Sequence, residues 1–249
     1  MSFKIKLKDK ELEFDKKVSL LSLANDTNEE FVVAKVNNRI RDLNYEVYYD
    51  ATVEFLTVKD QAAIRTYERS LRYLFAMAAE KLYPELEFRF SYNVSRSIFV
   101  QILSDNVRVD STMVKKIGEE MRKIIDADLP FERIIVSNEE AIKIYKERGF
   151  EDKIASLKYR PEKTVHFYKC DNYMNYMYGY MVPSTGYLRR FALRLYSPGI
   201  IIQYPRSECN GNIPPFEDAP TFGKTLKESH KWAKATGIDS VAGLNKMVE

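Results

Sequence analysis

Residues 127 to 150 read ADLPFERIIVSNEEAIKIYKERGF, and in this stretch a strand pattern passes directly into a helix pattern. The part FERIIVS, residues 131 to 137, is bounded by turn residues and predicts a strand. Ser137 and Glu140 then stand three residues apart, which is the spacing of a helix capping box, and Gly149 is placed to end the helix that follows. A strand that passes directly into a capped helix indicates a core built from both kinds of element.

Two longer helices are predicted upstream of this stretch. The segment from Asp60 to about Tyr83 has apolar residues at three- and four-residue steps and is stopped by Pro84. In residues 110 to 128 a second apolar stripe runs along one helical face, formed by Val114, Ile117, Met121 and Ile124. Strands are expected at residues 87–94, 97–103, 164–169, 189–196 and 199–205, and a last helix from about Thr221 to Gly237.

The front of the chain predicts a separate small unit. Residues 3–15 alternate apolar and polar side chains as in a hairpin, residues 18–26 predict a short helix, and residues 31–43 and 51–58 predict two more strands. This order is typical of a β-grasp-like unit that ends near Val58. Together with the helices and mostly antiparallel strands that follow, it predicts an α+β protein with boundaries near residues 58 and 205.

Composition narrows the function classes only slightly. The 249 residues include 39 Lys and Arg against 36 Asp and Glu, and a net charge of +3 does not by itself indicate nucleic-acid binding. Cys170 and Cys209 match no zinc motif and form no disulfide framework. No apolar run approaches the roughly 20 residues that span a bilayer, and no signal-peptide pattern is present, so we expect a cytoplasmic protein with no membrane partner.

Several segments resemble the front of threonyl-tRNA synthetases. The stretches VSLLSLA, FVVAKVNNRIRDL and VEFLTVKDQAAI are similar to the TGS domain, a β-grasp module, and imply that residues 1–58 form one. EKLYP and the long stretch around FERIIVS are similar to the second N-terminal domain of these synthetases. That resemblance implies an editing-like domain over residues 59–205, followed by an irregular segment and a helix in residues 206–249.

The editing site of this family uses HxxxH on the long helix and CxxxH before a Val-Pro turn. On a helix, residues four apart share a face, and imidazole and thiolate groups can hold zinc or position a hydrolytic water. Alignment through EKLYP and MVPSTG places these four positions on Arg69, Tyr73, Met177 and Met181. Arginine is not a base at neutral pH and a thioether is a poor zinc ligand. We therefore expect no catalytic residue, no metal and no cofactor here, and interpret the methionines as packing residues.

A narrower stretch, residues 174–205, is similar to bacterial uridine kinase-like proteins of the phosphoribulokinase/uridine kinase family. The resemblance implies a non-hydrolytic regulatory or ligand-recognition module that precedes a P-loop kinase domain, its partner in the full-length protein. ATP and Mg²⁺ would then serve that domain, which would phosphorylate a nucleoside, and the present sequence would stop before it. Two alternatives remain open at this point: a divergent tRNA-editing hydrolase, and a tRNA- or RNA-binding adaptor.

Three further groups of residues are weighed as binding sites. A ligand pocket for an anion or base is suggested by Arg69, Tyr73, Tyr92 and Arg96, since arginine and tyrosine suit phosphate and stacking contacts. RNA contacts are suggested by Arg189, Arg190 and Arg194, although a solvated strand face explains them as well. The tripeptide Gly223-Lys224-Thr225 lacks the glycine that a P-loop needs and predicts only a helix start.

Overall fold

A computed structural model describes residues 2–8, 10–25, 29–104, 107–238 and 241–248. The chain divides into two compact units, and it passes through each of them twice. The first unit comprises Met1–Phe131 and Met177–Phe216, and the second comprises Glu132–Tyr176 and Glu217–Glu249. The predicted α+β class is confirmed. The predicted domain boundaries near residues 58 and 205 do not coincide with the ends of these two units, and they stay predictions.

The first unit begins with the β-grasp. Its elements are β1 (Phe3–Leu7), β2 (Lys10–Phe14), β3 (Val18–Ser19), α1 (Leu20–Asn25), β4 (Val33–Val36), β5 (Arg39–Arg41), β6 (Glu46–Val47) and β7 (Ala51–Leu56). The five-stranded sheet has the order β2-β1-β7-β4-β5, in which β1 and β7 are parallel and the other pairs antiparallel. Leu20 and Leu23 of α1 are buried against the apolar faces of these strands. Alternating side chains in residues 3–14 therefore form the predicted hairpin.

The rest of the first unit places two helices beside a four-stranded antiparallel sheet. The elements are α2 (Gln61–Leu82), β8 (Phe88–Val94), β9 (Ser97–Ile102), α3 (Ser111–Asp126), β13 (Ala192–Tyr196) and β14 (Gly199–Gln203), with the sheet order β13-β14-β9-β8. α2 packs against α3, and α3 packs against β13. The predicted stripe on α3 is confirmed, because all four of its apolar residues are buried. Central strands β9 and β14 are buried along most of their length.

The second unit is a small antiparallel sheet with helices. Its elements are β10 (Glu132–Ser137), α4 (Asn138–Glu147), α5 (Glu151–Leu157), β11 (Thr164–Cys170), β12 (Tyr173–Tyr176), α6 (Pro220–Thr236) and α7 (Val241–Val248), with the sheet order β10-β11-β12. The capping box is present as predicted, since Ser137 Oγ accepts from the Glu140 N–H at 3.2 Å and Glu140 Oε2 accepts from the Ser137 N–H at 3.0 Å. Ala141 and Tyr145 of α4 pack on Val165 and Phe167 of β11.

Three local features complete the comparison with the sequence. Residues 173 to 176 form β12 and the backbone to residue 183 is irregular, so the four-residue spacing of Met177 and Met181 does not lie on a helix. Helix α5 and strand β12 were not predicted. The interpretation of Gly223-Lys224-Thr225 as a helix start is confirmed by α6, which begins at Pro220. None of the helices in the described ranges has the length and apolar character to cross a membrane.

Candidate functional site

Arg69 and Tyr73 lie one turn apart on α2 and have different surroundings. Tyr73 is fully buried, and its ring meets the ring of Phe131 edge-on with centroids 5.4 Å apart. Arg69 is half-buried, and its Nη1 donates a hydrogen bond to the carbonyl oxygen of Tyr180 at 2.6 Å. Of the residues at the first pair of family positions, Tyr73 is therefore a core aromatic residue, and Arg69 is hydrogen-bonded to the backbone of residue 180.

Gly179 makes room for the Arg69 guanidinium. Its φ of +89° lies in the region that side-chain-bearing residues avoid. A Cβ atom at this position would stand 2.9 Å from Arg69 Cζ, so the side chain of any other residue would displace the guanidinium. The glycine in YMYGYM is thus needed for the contact between α2 and this segment.

Met177 and Met181 belong to the irregular segment between β12 and the Thr185–Leu188 3₁₀ turn. Met181 is 1% exposed and Met177 is half-buried, so only the first lies fully within the core. Val182, the next residue, is also buried, and its N–H donates to Ser70 Oγ on α2 at 3.0 Å. The second pair of family positions thus presents thioethers, one of them sealed from solvent.

The Val-Pro-Ser-Thr-Gly turn is anchored by the chain that leaves α3. The Phe131 N–H donates to the Pro183 carbonyl oxygen at 2.9 Å. The hydroxyl of Thr185, which is fully buried, donates to the Ile124 carbonyl oxygen at 2.7 Å and accepts from the Leu129 N–H at 2.9 Å. The hydroxyl of Thr185 therefore has both of its hydrogen bonds satisfied, and the turn is held in place at Pro183 and at Thr185.

The side chains at the four family positions lack the groups that hydrolysis requires. A guanidinium group stays protonated at all working pH values, and thioether sulfur neither accepts a proton nor binds zinc well. Within the described part of the chain, no group of three or more His, Cys, Asp or Glu side chains is arranged to hold a metal ion. The side chains at these positions can pack, donate hydrogen bonds and attract anions.

Tyr92 and Arg96 are exposed, in contrast to Tyr73. Tyr92 is 42% exposed on β8, and Arg96 is exposed in the β8–β9 turn, where its φ is +60°. The Nη1 of Arg96 lies 3.9 Å from the sulfur of Cys209. The four residues suggested as a ligand pocket thus divide into a core ring, a bonded arginine and two exposed side chains, and their joint action stays a prediction.

The three arginines suggested for RNA have separate partners. Arg189 Nη1 lies 3.3 Å from Asp126 Oδ1, and both side chains are exposed. Arg190 donates to the Gly211 carbonyl oxygen, while its own N–H donates to the hydroxyl of Tyr67 at 3.0 Å. Arg194 lies over the Phe216 ring, with its Cζ 4.8 Å from the centroid. All three residues are exposed, and Arg190 differs from the other two in that both its side chain and its backbone N–H are hydrogen-bonded.

A basic groove between α3 and β13 was not foreseen from the sequence. It encloses about 480 Å³ and is lined by Ser111, Val114, Lys115, Gly118, Glu119, Arg122, Phe191, Leu193, Arg194 and Leu195. Arg122 lies over the Phe191 ring at 5.0 Å, and the Lys115 side chain is 77% exposed. Three cationic groups thus face one carboxylate, Glu119. The signal available in the sequence was the seven-residue step from Lys115 to Arg122, which puts both on one face of α3.

A second unforeseen feature is a tyrosine–arginine cluster, formed by Arg41, Tyr45, Tyr49, Arg69 and Tyr180. Arg41 Nη1 donates to the Tyr180 hydroxyl at 3.1 Å, and Arg41 Cζ lies 4.9 Å from the centroid of the Tyr45 ring. The hydroxyls of Tyr45 and Tyr49 are 3.1 Å apart. This hydrogen bond, together with burial, raises the pKa of Tyr49, so its hydroxyl keeps its proton near neutral pH. No sequence periodicity predicts this cluster, because only the tertiary fold brings its residues together.

The β-grasp and the helices and antiparallel sheets that follow it are consistent with the fold of the N-terminal region of threonyl-tRNA synthetases. The chain is 30% identical over 173 residues to a threonine–tRNA ligase of Acetivibrio thermocellus, an alignment that covers 65% of this chain and 26% of the ligase. It is 30% identical over 191 residues to the enzyme of Syntrophomonas wolfei, covering 74% and 30%. For Listeria monocytogenes the identity is 31% over 163 residues, covering 65% and 25%. No protein-family model matches the chain.

These similarities support the TGS- and editing-like assignment of the front of the chain. The chain spans only about a quarter to three tenths of the length of the relatives named above. Since these relatives are ligases, they lend no support to the uridine kinase resemblance, which stays a prediction.

Proposed function

We propose that this chain is a non-hydrolytic RNA-binding module, with tRNA as the first ligand to test. The proposal rests on a predicted change in a scaffold of the same fold: alignment places Arg69, Tyr73, Met177 and Met181 at the positions of the family's hydrolytic groups. Similarity to threonine–tRNA ligases over 65 to 74% of the chain supports a tRNA-related role. Loss of the reactive groups with retention of the fold favours binding over deacylation.

The basic groove supplies a surface for RNA. Lys115, Arg122 and Arg194 attract phosphates, and Arg122 is supported by the buried ring of Phe191 beneath it. A positively charged groove that follows the phosphate backbone is one feature of proteins that bind single strands without sequence preference. Lys115 forms only a long 3.8 Å ion pair with Glu119, and exposed pairs of this kind are easily exchanged for a phosphate.

The proposal is tested by filter binding of purified protein to uncharged tRNA over a range of salt concentrations. The logarithm of the binding constant should fall linearly with the logarithm of salt, with a slope that counts the phosphate contacts. Lys115→Glu and Arg194→Glu should each weaken binding about tenfold at low salt. Lys143→Glu is the matched control, because Lys143 is also an exposed helical lysine but lies on α4. Absence of binding at low salt would remove the proposal.

The hydrolase alternative is tested in the same preparation. Protein mixed with mischarged tRNA and Zn²⁺ should release no amino acid beyond the spontaneous rate, because a thioether or guanidinium group cannot activate water. Amino acid release that depends on the protein would show that this region, with Arg69, Tyr73, Met177 and Met181, still supports catalysis, and it would replace the binding proposal.

The nucleoside kinase prediction remains as a second, untested candidate for the full-length protein. Its support is the resemblance over residues 174–205, and it requires ATP, Mg²⁺ and a partner P-loop domain. Sequencing the gene beyond the codon for Glu249 and assaying ATP-dependent phosphorylation of uridine would decide it. A synthetase catalytic core in that reading frame would exclude the kinase.

A further inference from the structure

Arg41 occupies an unusual position in the tyrosine–arginine cluster. It lies on the edge strand β5, is half-buried, and donates to the hydroxyl of Tyr180, whereas Arg69 donates to the carbonyl oxygen of the same residue. Its Nε is buried and, among the described residues, has no hydrogen-bond partner. A buried donor left unsatisfied is costly, and arginine N–H groups are arranged as a fork that matches two oxygen atoms of a phosphate.

Among the residues that the structure describes, no carboxylate pairs with Arg41. Its contacts in the described residues are the Tyr180 hydroxyl, the Ile40 carbonyl oxygen and the ring of Tyr45, and none of these is a carboxylate. Arg69 brings a second guanidinium group to the same tyrosine at 2.6 Å from its carbonyl oxygen. Two positive groups that converge on one neutral residue favour the approach of an anion.

Two exposed tyrosines lie close in the sequence to members of the cluster. Tyr178, two residues before Tyr180, is 79% exposed, which makes it one of the most exposed large side chains of the first unit. Tyr48 is 68% exposed and meets Tyr49 edge-on at 5.3 Å. Burying such a ring is favourable, and nucleobases stack on exposed aromatic rings with little regard to sequence.

We propose that the tyrosine–arginine cluster is a binding site for a nucleotide, in which Arg41 holds the phosphate and Tyr178 stacks against the base. A free mononucleotide and the phosphorylated end of an RNA strand present the same chemistry to these residues. The inference goes beyond the proposed function, because it involves neither the groove between α3 and β13 nor a tRNA body.

The site is tested by calorimetric titration with uridine 5′-monophosphate, with uridine as the ligand that lacks the phosphate. Arg41→Gln should weaken binding of the monophosphate at least about tenfold, a loss of about 1.4 kcal/mol. Arg39→Gln is the matched control, since Arg39 is exposed on the same strand, and its binding should change less than about twofold. Tyr178→Ala should weaken both ligands. Urea unfolding of each variant establishes that the fold is intact, and Tyr180→Phe provides a second, milder change that removes only the hydroxyl bonded to Arg41.

A second arm uses a 5′-phosphorylated RNA tetranucleotide and its unphosphorylated form. If only the phosphorylated tetranucleotide, and not the mononucleotide, binds in a manner that depends on Arg41, the source of the phosphate is an RNA end. The inference is overturned if neither phosphorylated ligand binds at about 5 mM, if uridine binds as well as its monophosphate, or if Arg41→Gln has no effect. If Arg41→Gln has no effect but the protein still binds tRNA, the proposed function stands without this inference. If the protein binds the mononucleotide but not tRNA, only the proposed function is removed.

Discussion

The hydroxyl of Ser70 on α2 accepts a hydrogen bond from the N–H of Val182 at 3.0 Å. Ser70 is fully buried, and the same hydroxyl donates to the Thr66 carbonyl oxygen at 2.8 Å. One small side chain thereby joins the long helix to a segment that lies 112 residues later in the sequence. Because Val182 follows Met181 directly, this bond fixes the position of the second family motif relative to the first.

Ser70→Ala should lower the free energy of unfolding by about 1–3 kcal/mol, because the buried Val182 N–H then has no acceptor. Urea unfolding followed by circular dichroism measures the loss. Ser22→Ala removes an exposed hydroxyl that bonds to the Ser19 carbonyl oxygen, and it should cost less than about 0.5 kcal/mol. Equal losses in the two variants would contradict the role given to Ser70.

Met181→Ala should be far more damaging than Met177→Ala. Met181 is 1% exposed, so its truncation leaves a cavity and should cost about 2–5 kcal/mol, whereas half-buried Met177 can be shortened at lower cost. The comparison of the two unfolding free energies tests the interpretation of the methionines as packing residues. That interpretation fails if Met181→Ala is as stable as the parent protein.

Stability should fall in acid through Glu120. Its side chain is 6% exposed and lies 2.6 Å from Lys81 Nζ, and the bond from Lys81, with a smaller contribution from Lys123, holds the pKa of Glu120 below its usual value despite the burial that opposes it. A carboxyl with a lowered folded pKa contributes stability above its unfolded pKa of about 4.3, and this contribution is lost as the pH falls through the folded value.

The unfolding free energy of the parent protein, measured from about pH 6 down to pH 3, should therefore drop more steeply than that of Glu120→Gln. Glu119→Gln is the matched control, because Glu119 is 56% exposed on the same helix and has only a distant lysine partner. Parallel pH profiles for the parent protein and Glu120→Gln would contradict the assignment.

The two thiols should react at different rates. Burial raises the pKa of Cys170 to about 12, while Cys209 is only half-buried and lies 3.9 Å from an Arg96 nitrogen. Since the thiolate is the reactive form, titration with a disulfide reagent near pH 8 should show one fast thiol and a second that reacts only on unfolding. Cys209→Ser should abolish the fast phase, and a fast phase that persists in this variant would show that Cys170 is accessible.

Much of the scaffold was predictable because its signals are local. The stripe on α3 and the capping box of Ser137 and Glu140 involve residues within one or a few helical turns, and both are present in the structure. The alternating residues of β1 and β2 likewise pair across a short turn. Such patterns depend on the periods of helix and strand, which the sequence displays directly.

The candidate sites were less predictable because their contacts are distant in sequence. Arg41 and Tyr180 are separated by 139 residues, and no pattern connects them. The spacing of Met177 and Met181 imitates a helical turn, yet β12 and Gly179, with its φ of +89°, impose another path on the backbone. Tertiary contacts from α2 outweigh the local pattern here.

The return of the chain to the first unit has a consequence for translation. Strand β9 pairs with β8 through a tight turn, but its other neighbour is β14, where Ile202 faces Ile98 across the ladder. While residues 103 to 198 are being synthesised, one edge of a strand that is almost entirely buried in the folded protein has no partner from its own sheet. A nascent polypeptide at this stage exposes a bare strand edge on the ribosome, and a pause before codon 199 prolongs its risk of aggregation.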